Sequence, residues 1–147
     1  MKFYEITENK KQNMDLLLLA DEQEDMIDRY IQDGRVYVLD DNGVKSQAVV
    51  VRLNDDQLEV KNLATVPEFQ GRGYGRKLLS YIAQLYEGSG KELLVGTGDS
   101  PLTVPFYEKC GFRRSHILEN FFIDNYDHPI FEDGVQLVHM VYLKKTL

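Results

Sequence analysis

Three glycines fall within five residues in Gln70-Gly71-Arg72-Gly73-Tyr74-Gly75, between an apolar strand-like run and a helix-like one. Glycine tolerates positive φ and lets another molecule approach the backbone with no Cβ in the way. A helix opening at such a turn directs its unpaired N–H groups and the positive end of its dipole into the turn. Arg72, Arg76 and Lys77 add side-chain cations. The combination is an anion seat, best suited to a diphosphate. It is not the dinucleotide fingerprint, because Arg76 stands at the third glycine's position. Glu92 would open the next strand rather than close it, which is the wrong end for a ribose contact. The P-loop pattern fails as well, with Leu85 at the first glycine and Glu92 in place of the magnesium-binding hydroxyl.

The pattern that does match is Q/R-x-x-G-x-G/A, as Gln70-x-x-Gly73-x-Gly75. Leu63-Ala64-Thr65 precedes it, and Phe106-Tyr107-Glu108-Lys109-Cys110-Gly111-Phe112 follows downstream. On these residues, over roughly positions 36–116, the chain resembles the GNAT superfamily of N-acetyltransferases. The resemblance implies an α+β (mixed α/β) fold: a central mixed sheet of about six or seven strands, an antiparallel meander followed by a βαβ crossover, and about four flanking helices. It implies acetyl-CoA as cosubstrate and acetyl transfer to a primary amine by direct attack in a ternary complex. By position, Leu63 and Thr65 would offer main-chain contacts to pantetheine, with an N–H near Thr65 as oxyanion donor. The turn formed by Gln70, Gly71, Arg72, Gly73, Tyr74, Gly75 and Arg76 would take the diphosphate. Tyr107 would protonate the leaving thiolate, and Glu59 would deprotonate the acceptor.

Each role has a plainer counterpart. A helix tyrosine is commonly a packing residue with a satisfied hydroxyl. A strand glutamate is commonly solvated, and some relatives use only ordered water and backbone carbonyls as base. Asn62 could orient acceptor or water, or simply bond a neighbouring loop. The contrasting function is a coenzyme A-binding regulatory or interaction module with this fold and no transfer chemistry.

Other candidates carry less. Cys110 beside a helix stop, with no His or Asn partner discernible, reads as a buried structural thiol. His116, His128 and His139 lack ligand spacing, so no metal is expected. Relatives commonly have Asn where this chain has Asp99-Ser100; Ser100 suits a helix cap, and Pro105 requires the helix to start near Thr103. The stretch Glu119 to Gly134 interleaves carboxylates with aromatics. It reads equally as a seat for a cationic amine and as a surface loop that packs Phe122 and Ile130.

The elements that must position these residues follow from periodicity. Residues 2–6 suggest a strand, and 9–20 and 22–32 suggest helices with Gly34 as the stop. Val36–Leu39 and Gln47–Leu53 flank Asn42-Gly43, a hairpin signal, and Leu58–Val66 makes the third strand. A helix over 73–86 buries Leu78, Leu79, Ile82, Ala83 and Leu85, and Leu93-Leu94-Val95 reads as a buried central strand. The last strands come from Phe112 and Leu137–Leu143, whose apolar positions could pair with a second copy; residues 117–135 between them read as irregular.

Length, at 147 residues, suits one domain over 1–147, and 43% apolar with 28% charged residues is an ordinary globular balance. A net charge of −7 argues against nucleic-acid binding. No apolar run is long enough for a membrane span, the N-terminus lacks signal-peptide architecture, and one cysteine excludes an internal disulfide, so a cytoplasmic location is expected.

Overall fold

The computed structural model describes residues 1–147. Its strands are β1 (Lys2–Ile6), β2 (Arg35–Asp40), β3 (Val44–Arg52), β4 (Gln57–Thr65), β5 (Glu92–Gly98), β6 (Arg113–Leu118), β7 (Phe131–Glu132), β8 (Val135–Gln136) and β9 (Met140–Thr146). Its helices are α1 (Met14–Ala20), α2 (Glu24–Asp28), α3 (Tyr74–Leu85), α4 (Val104–Lys109) and α5 (Phe121–Asp124), with a 3₁₀ turn at Pro67–Phe69. Seven strands form one mixed sheet in the order β1-β2-β3-β4-β5-β9-β6, while β7 and β8 pair separately. The expected meander and β4-α3-β5 crossover are both present. β4 and β5 are the parallel pair, and every other pairing is antiparallel.

Local chemistry sets these elements. At the β2–β3 hairpin, Asn42 (φ 55°) and Gly43 (φ 109°) take left-handed conformations, and Asp40 accepts the Gly43 N–H at 3.0 Å. Asn9, also left-handed at φ 49°, breaks the helix expected over 9–20, which therefore begins only at Met14. Asn13 does not cap it through its side chain; its amide instead donates to Gln47 Oε1 at 2.9 Å, tying the helix start to the sheet. Helical hydrogen bonding after α2 persists as turns to Gly34, where a Cβ would lie 2.7 Å from Val49 Cγ1.

Alternation of strand residues gives two cores. α3 and α4 cover Tyr37, Leu39, Val50, Val60, Val95 and Leu143 on one face; α1 and α2 cover Ile6, Val36, Val38 and Val49 on the other. α3 contributes Leu78, Leu79 and Ile82, each buried and worth about 1.5–3 kcal/mol in transfer terms. Leu85 departs from the expected stripe and is 48% exposed; Tyr86 turns to the core in its place, its hydroxyl 3.2 Å from that of Tyr37. The segment expected to be irregular contains α5 and the β7–β8 hairpin, closed over a small cluster of Phe122, Ile130 and Leu137.

A single extra residue in β4 creates the site. The β3–β4 register shifts between Val49 (opposite Asn62) and Val50 (opposite Val60), leaving Lys61 as a bulge. Parallel pairing with β5 stops at the same level, at Val60 opposite Val95, and beyond it the two strands separate.

Candidate active site

The separation opens a cleft of about 1050 Å³ that passes between β4 and β5 from one face of the sheet to the other. Glu59, Leu63, Thr65, Gln70, Gly71, Gly73, Tyr74, Gly75, Arg76 and Tyr107 all line it, so residues far apart in sequence converge on one cavity. Arg72 is the exception: it lies outside the lining, with its guanidinium 5.0 Å from the centre of the Phe69 ring.

Main-chain phase explains why β4 can serve a ligand. The Val66 N–H donates to Lys45 O at 2.9 Å, and the register then directs the peptide groups of Ala64 and Asn62 toward β3. Those of Leu63 and Thr65 face the opposite way, into the gap that β5 has vacated. The strand end is braced by Ser46, whose hydroxyl donates to Ala64 O at 2.9 Å, and by Gln70, whose amide donates to Thr65 O at 3.2 Å. Gln70 thus joins the end of the strand to the glycine turn.

In that turn Gly71 (φ 79°) and Gly73 (φ 84°) are left-handed, and Gly73 is the N-cap of α3. Gly75 is helical, so its value is spatial. A Cβ there would sit 3.5 Å from both Phe106 Cζ and Thr65 Oγ1, narrowing the cleft wall without a clash. Gly75→Ala is therefore expected to stabilise the fold by up to about 1 kcal/mol, from helix propensity, while weakening binding of any ligand threaded past α3. Thermal denaturation and calorimetric titration with acetyl-CoA read the two effects separately.

Tyr107 and Glu59 approach the cleft from opposite faces. α4 starts at Val104 after Thr103, as Pro105 requires, and Ser100 accepts the Leu102 N–H at 3.1 Å in the turn before it. Tyr107 is buried between Phe106 and Phe112, and this desolvation holds its hydroxyl well above the ordinary phenol range. That hydroxyl has no hydrogen-bond partner in the chain, yet it is not among the sealed polar atoms. Glu59 is not the solvated strand glutamate of the plainer reading. It is 5% exposed, accepts a hydrogen bond from Tyr142 at 3.2 Å and lies 3.3 Å from Lys61 Nζ. Burial, and then the Glu59 charge, raise the Tyr142 phenol.

Asp21, Tyr30, Tyr126 and Tyr142 were not singled out by motif, yet they complete the Glu59 end. Asp21 lies between two short helices, is 8% exposed, and accepts hydrogen bonds from Tyr30 at 3.2 Å and Tyr126 at 2.9 Å. Burial pushes its carboxyl up, opposed by those two hydrogen bonds. Asn62 donates to Leu17 O at 2.9 Å and to the Tyr30 hydroxyl at 3.1 Å, so its amide holds α1 and the α2 region to the sheet. For Tyr142, two-residue alternation along the last strand was the available signal. For Asp21 there was none. Cys110 is only part-buried and forms cleft wall, which corrects the expectation of a buried thiol; desolvation raises it.

The acidic aromatic segment divides between its two readings. Phe122 and Ile130 pack inward and, with Phe121, Tyr126, Phe131 and Glu132, line the cleft, whereas Asp124 and Asp127 are exposed outside it. The segment is anchored where His128 lies between Asp127 and Glu22, and hydrogen bonds to Asp127 first and Glu22 second raise its imidazole above the usual value. A raised pKa means the anchor is intact at low pH and released as pH climbs through the folded-state value, above about 6.5. The protection factors of amides 126–128, with the intrinsic base-catalysed rise divided out, are expected to fall across that window, and His128→Gln is expected to remove that fall.

Known proteins resemble this chain in both sequence and fold. Residues 32–114 match the family described as Acetyltransferase (GNAT) domain. Uncharacterized N-acetyltransferase YvbK of Bacillus subtilis (strain 168) is 33% identical over 132 residues, covering 88% of this chain and 85% of YvbK. Among solved structures, a GNAT family acetyltransferase from Elizabethkingia anophelis with acetyl-CoA bound superposes with a TM-score of 0.92 at 33% identity, covering 99% of this chain and 97% of the other. A Bacillus subtilis acetyltransferase in complex with CoA gives 0.88 at 32% identity, covering 99% and 98%. The chain belongs to the GNAT family of acetyltransferases.

Proposed function

We propose that this protein transfers the acetyl group of acetyl-CoA to the primary amine of a cationic acceptor, by direct attack while both are bound. The observation that carries the reading is the gap after Val60 and Val95, where the Leu63 peptide group and the Thr65 N–H face away from β3 beside a glycine turn that caps α3, the Thr65 carbonyl being taken by Gln70. Pantetheine carries amides that pair with such an edge, and the α3 N-terminus suits the diphosphate. Leu63 and Thr65, with Gln70, Gly71, Gly73, Tyr74, Gly75 and Arg76, form the carrier side. Arg72 contributes charge from beyond the lining. An N–H near Thr65 meets the developing oxyanion.

On the other side of the gap Glu59 takes a proton from the acceptor ammonium, directly or through water. The free amine attacks the thioester carbonyl, and Tyr107 gives its proton to the departing thiolate. With no partner in the chain and its pKa raised, the Tyr107 hydroxyl stays protonated at neutral pH, available to hydrogen-bond to the sulfur and donate to it as charge develops there. Holding both substrates in one cleft makes the attack effectively unimolecular.

Charge distribution supports a cationic acceptor. Beside Glu59 the lining carries Asp21 and Glu22 against Arg29 and Lys61, with Glu132 nearer Tyr107, whereas Arg76 belongs to the glycine turn and Lys109 to α4. Tyr30, Tyr126 and Tyr142 add ring faces that attract cations. Asp21→Asn is expected to raise the KM of a diamine about tenfold, a loss typical of one charge-assisted contact, with less effect on a monoamine. Steady-state kinetics across a chain-length series of amines measures it.

The test of the function is acceptor-dependent release of free thiol from acetyl-CoA, followed by mass analysis of the acetylated amine. Carrier binding without thiol release across a broad amine panel would favour a coenzyme A-binding module instead.

A further inference from the structure

The bulge residue in β4 places an amine where an acceptor amine has to sit. Lys61 Nζ lies 3.3 Å from Glu59 Oε2, within a cleft that also holds Leu63, Thr65 and Tyr107. Its side chain is 32% exposed, whereas the Glu59 side chain is 6% exposed, so the ammonium covers a buried carboxylate from the solvent side. Lys109 also lines the cleft but is exposed, on α4, with no carboxylate beside it.

From this juxtaposition we infer that Lys61 is an internal acetyl acceptor, modified on Nζ by acetyl-CoA bound in the same molecule. The inference rests on the acetyl-CoA reading above. Glu59 removes one proton from the Lys61 ammonium, and the resulting amine lone pair attacks the thioester carbonyl. The C–N amide bond forms as the C–S bond breaks, and the thiolate takes the Tyr107 proton. Tyr107 recovers its proton from that held by Glu59 or from solvent. Acetyl-CoA and a lysine ammonium become free coenzyme A, N-acetyl-lysine and one proton, with no further reactant.

The product has a defined consequence for the site. Acetylation removes the cation facing Glu59 and leaves that carboxylate with Tyr142 alone. An external acceptor ammonium must displace Lys61 to reach the same carboxylate, so the two acceptors compete. The unmodified lysine thus guards the base until an acceptor or a waiting thioester claims it.

The experiment incubates the full chain with acetyl-CoA and no amine, then follows each lysine by peptide mass spectrometry. Lys61 is expected to be acetylated about a hundredfold faster than Lys2 or Lys109, the gain a positioned base supplies. The fractional rate should not depend on protein concentration. Glu59→Gln should bring Lys61 down to the background of Lys2, and Glu59→Gln protein mixed with wild type should remain unmodified at Lys61. Spermidine or another reactive amine should suppress the modification, and Lys61→Arg should remove one acetyl group from the intact mass. Labelling of Lys61 no faster than Lys2, or unaltered by Glu59→Gln in a variant whose melting temperature is unchanged, overturns the inference. Parallel calorimetry separates the layers. If the carrier binds and external amines are acetylated while Lys61 stays unlabelled, only the internal acceptor is refuted. If the carrier does not bind, the acetyl-CoA reading falls and takes this inference with it.

Discussion

Replacing Tyr107 by phenylalanine is expected to lower kcat about a hundredfold, roughly 2.7 kcal/mol of barrier, while acetyl-CoA binds as before. The substitution removes one hydroxyl that no group in the chain satisfies, and it leaves the ring packed between Phe106 and Phe112. The hydroxyl opens on the cleft rather than being sealed, so its removal leaves no buried polar group unpaired and the variant should melt close to the wild-type temperature. A loss of turnover with stability and carrier binding unchanged is what distinguishes a proton donor from a packing residue. Stopped-flow detection of free thiol, calorimetric titration and a melting curve measure all three quantities. Unaltered turnover would remove Tyr107 from the chemistry.

Glu59→Gln is expected to reduce kcat/KM at neutral pH by about two orders of magnitude. Glutamine keeps the volume and still accepts from Tyr142, so the loss should be chemical rather than structural. The variant's rate should then climb about tenfold per pH unit toward the acceptor's own pKa, near 10 for a lysine-like amine, because hydroxide and bulk water replace the missing base. Wild-type activity should rise less steeply over the same range. A variant with the full wild-type rate at neutral pH would assign proton removal to water and backbone carbonyls. Lys61 loses its ionic partner in this variant, and its mobility in the cleft should increase accordingly.

Much of the glycine turn's geometry was legible in the chain itself. Left-handed backbone at Gly71 and Gly73 is written in residue type, and a strand before with a helix after leaves little choice about where α3 points its amides. Local contacts of this kind survive translation from sequence to structure because they depend on neighbours within a few residues. The Pro105 argument worked for the same reason: a missing N–H forces a helix start that the fold then respects at Thr103. Errors fell where local preference was overruled from a distance. Leu85 has the composition of a core residue but the wrong azimuth, and Tyr86 reaches the Tyr37 hydroxyl instead. The helix expected from residue 9 was broken by left-handed Asn9, and its Asn13 was drawn to Gln47 across the sheet.

Residue types and spacing thus determined the sheet-and-crossover plan and the glycine turn over Gln70–Arg76, while Tyr107 and Glu59 were picked out by the family resemblance. Tertiary structure decided what surrounds them. The Lys61 bulge sets which peptide groups of β4 face the gap, and a register shift of one residue has no local signature. Asp21 becomes a buried carboxylate of the cleft because Tyr30 and Tyr126, the latter from a segment more than a hundred residues later, donate to it. Short-range chemistry is encoded in neighbouring side chains, whereas burial and charge pairing belong to the packed whole, and they come into being only when distant segments meet.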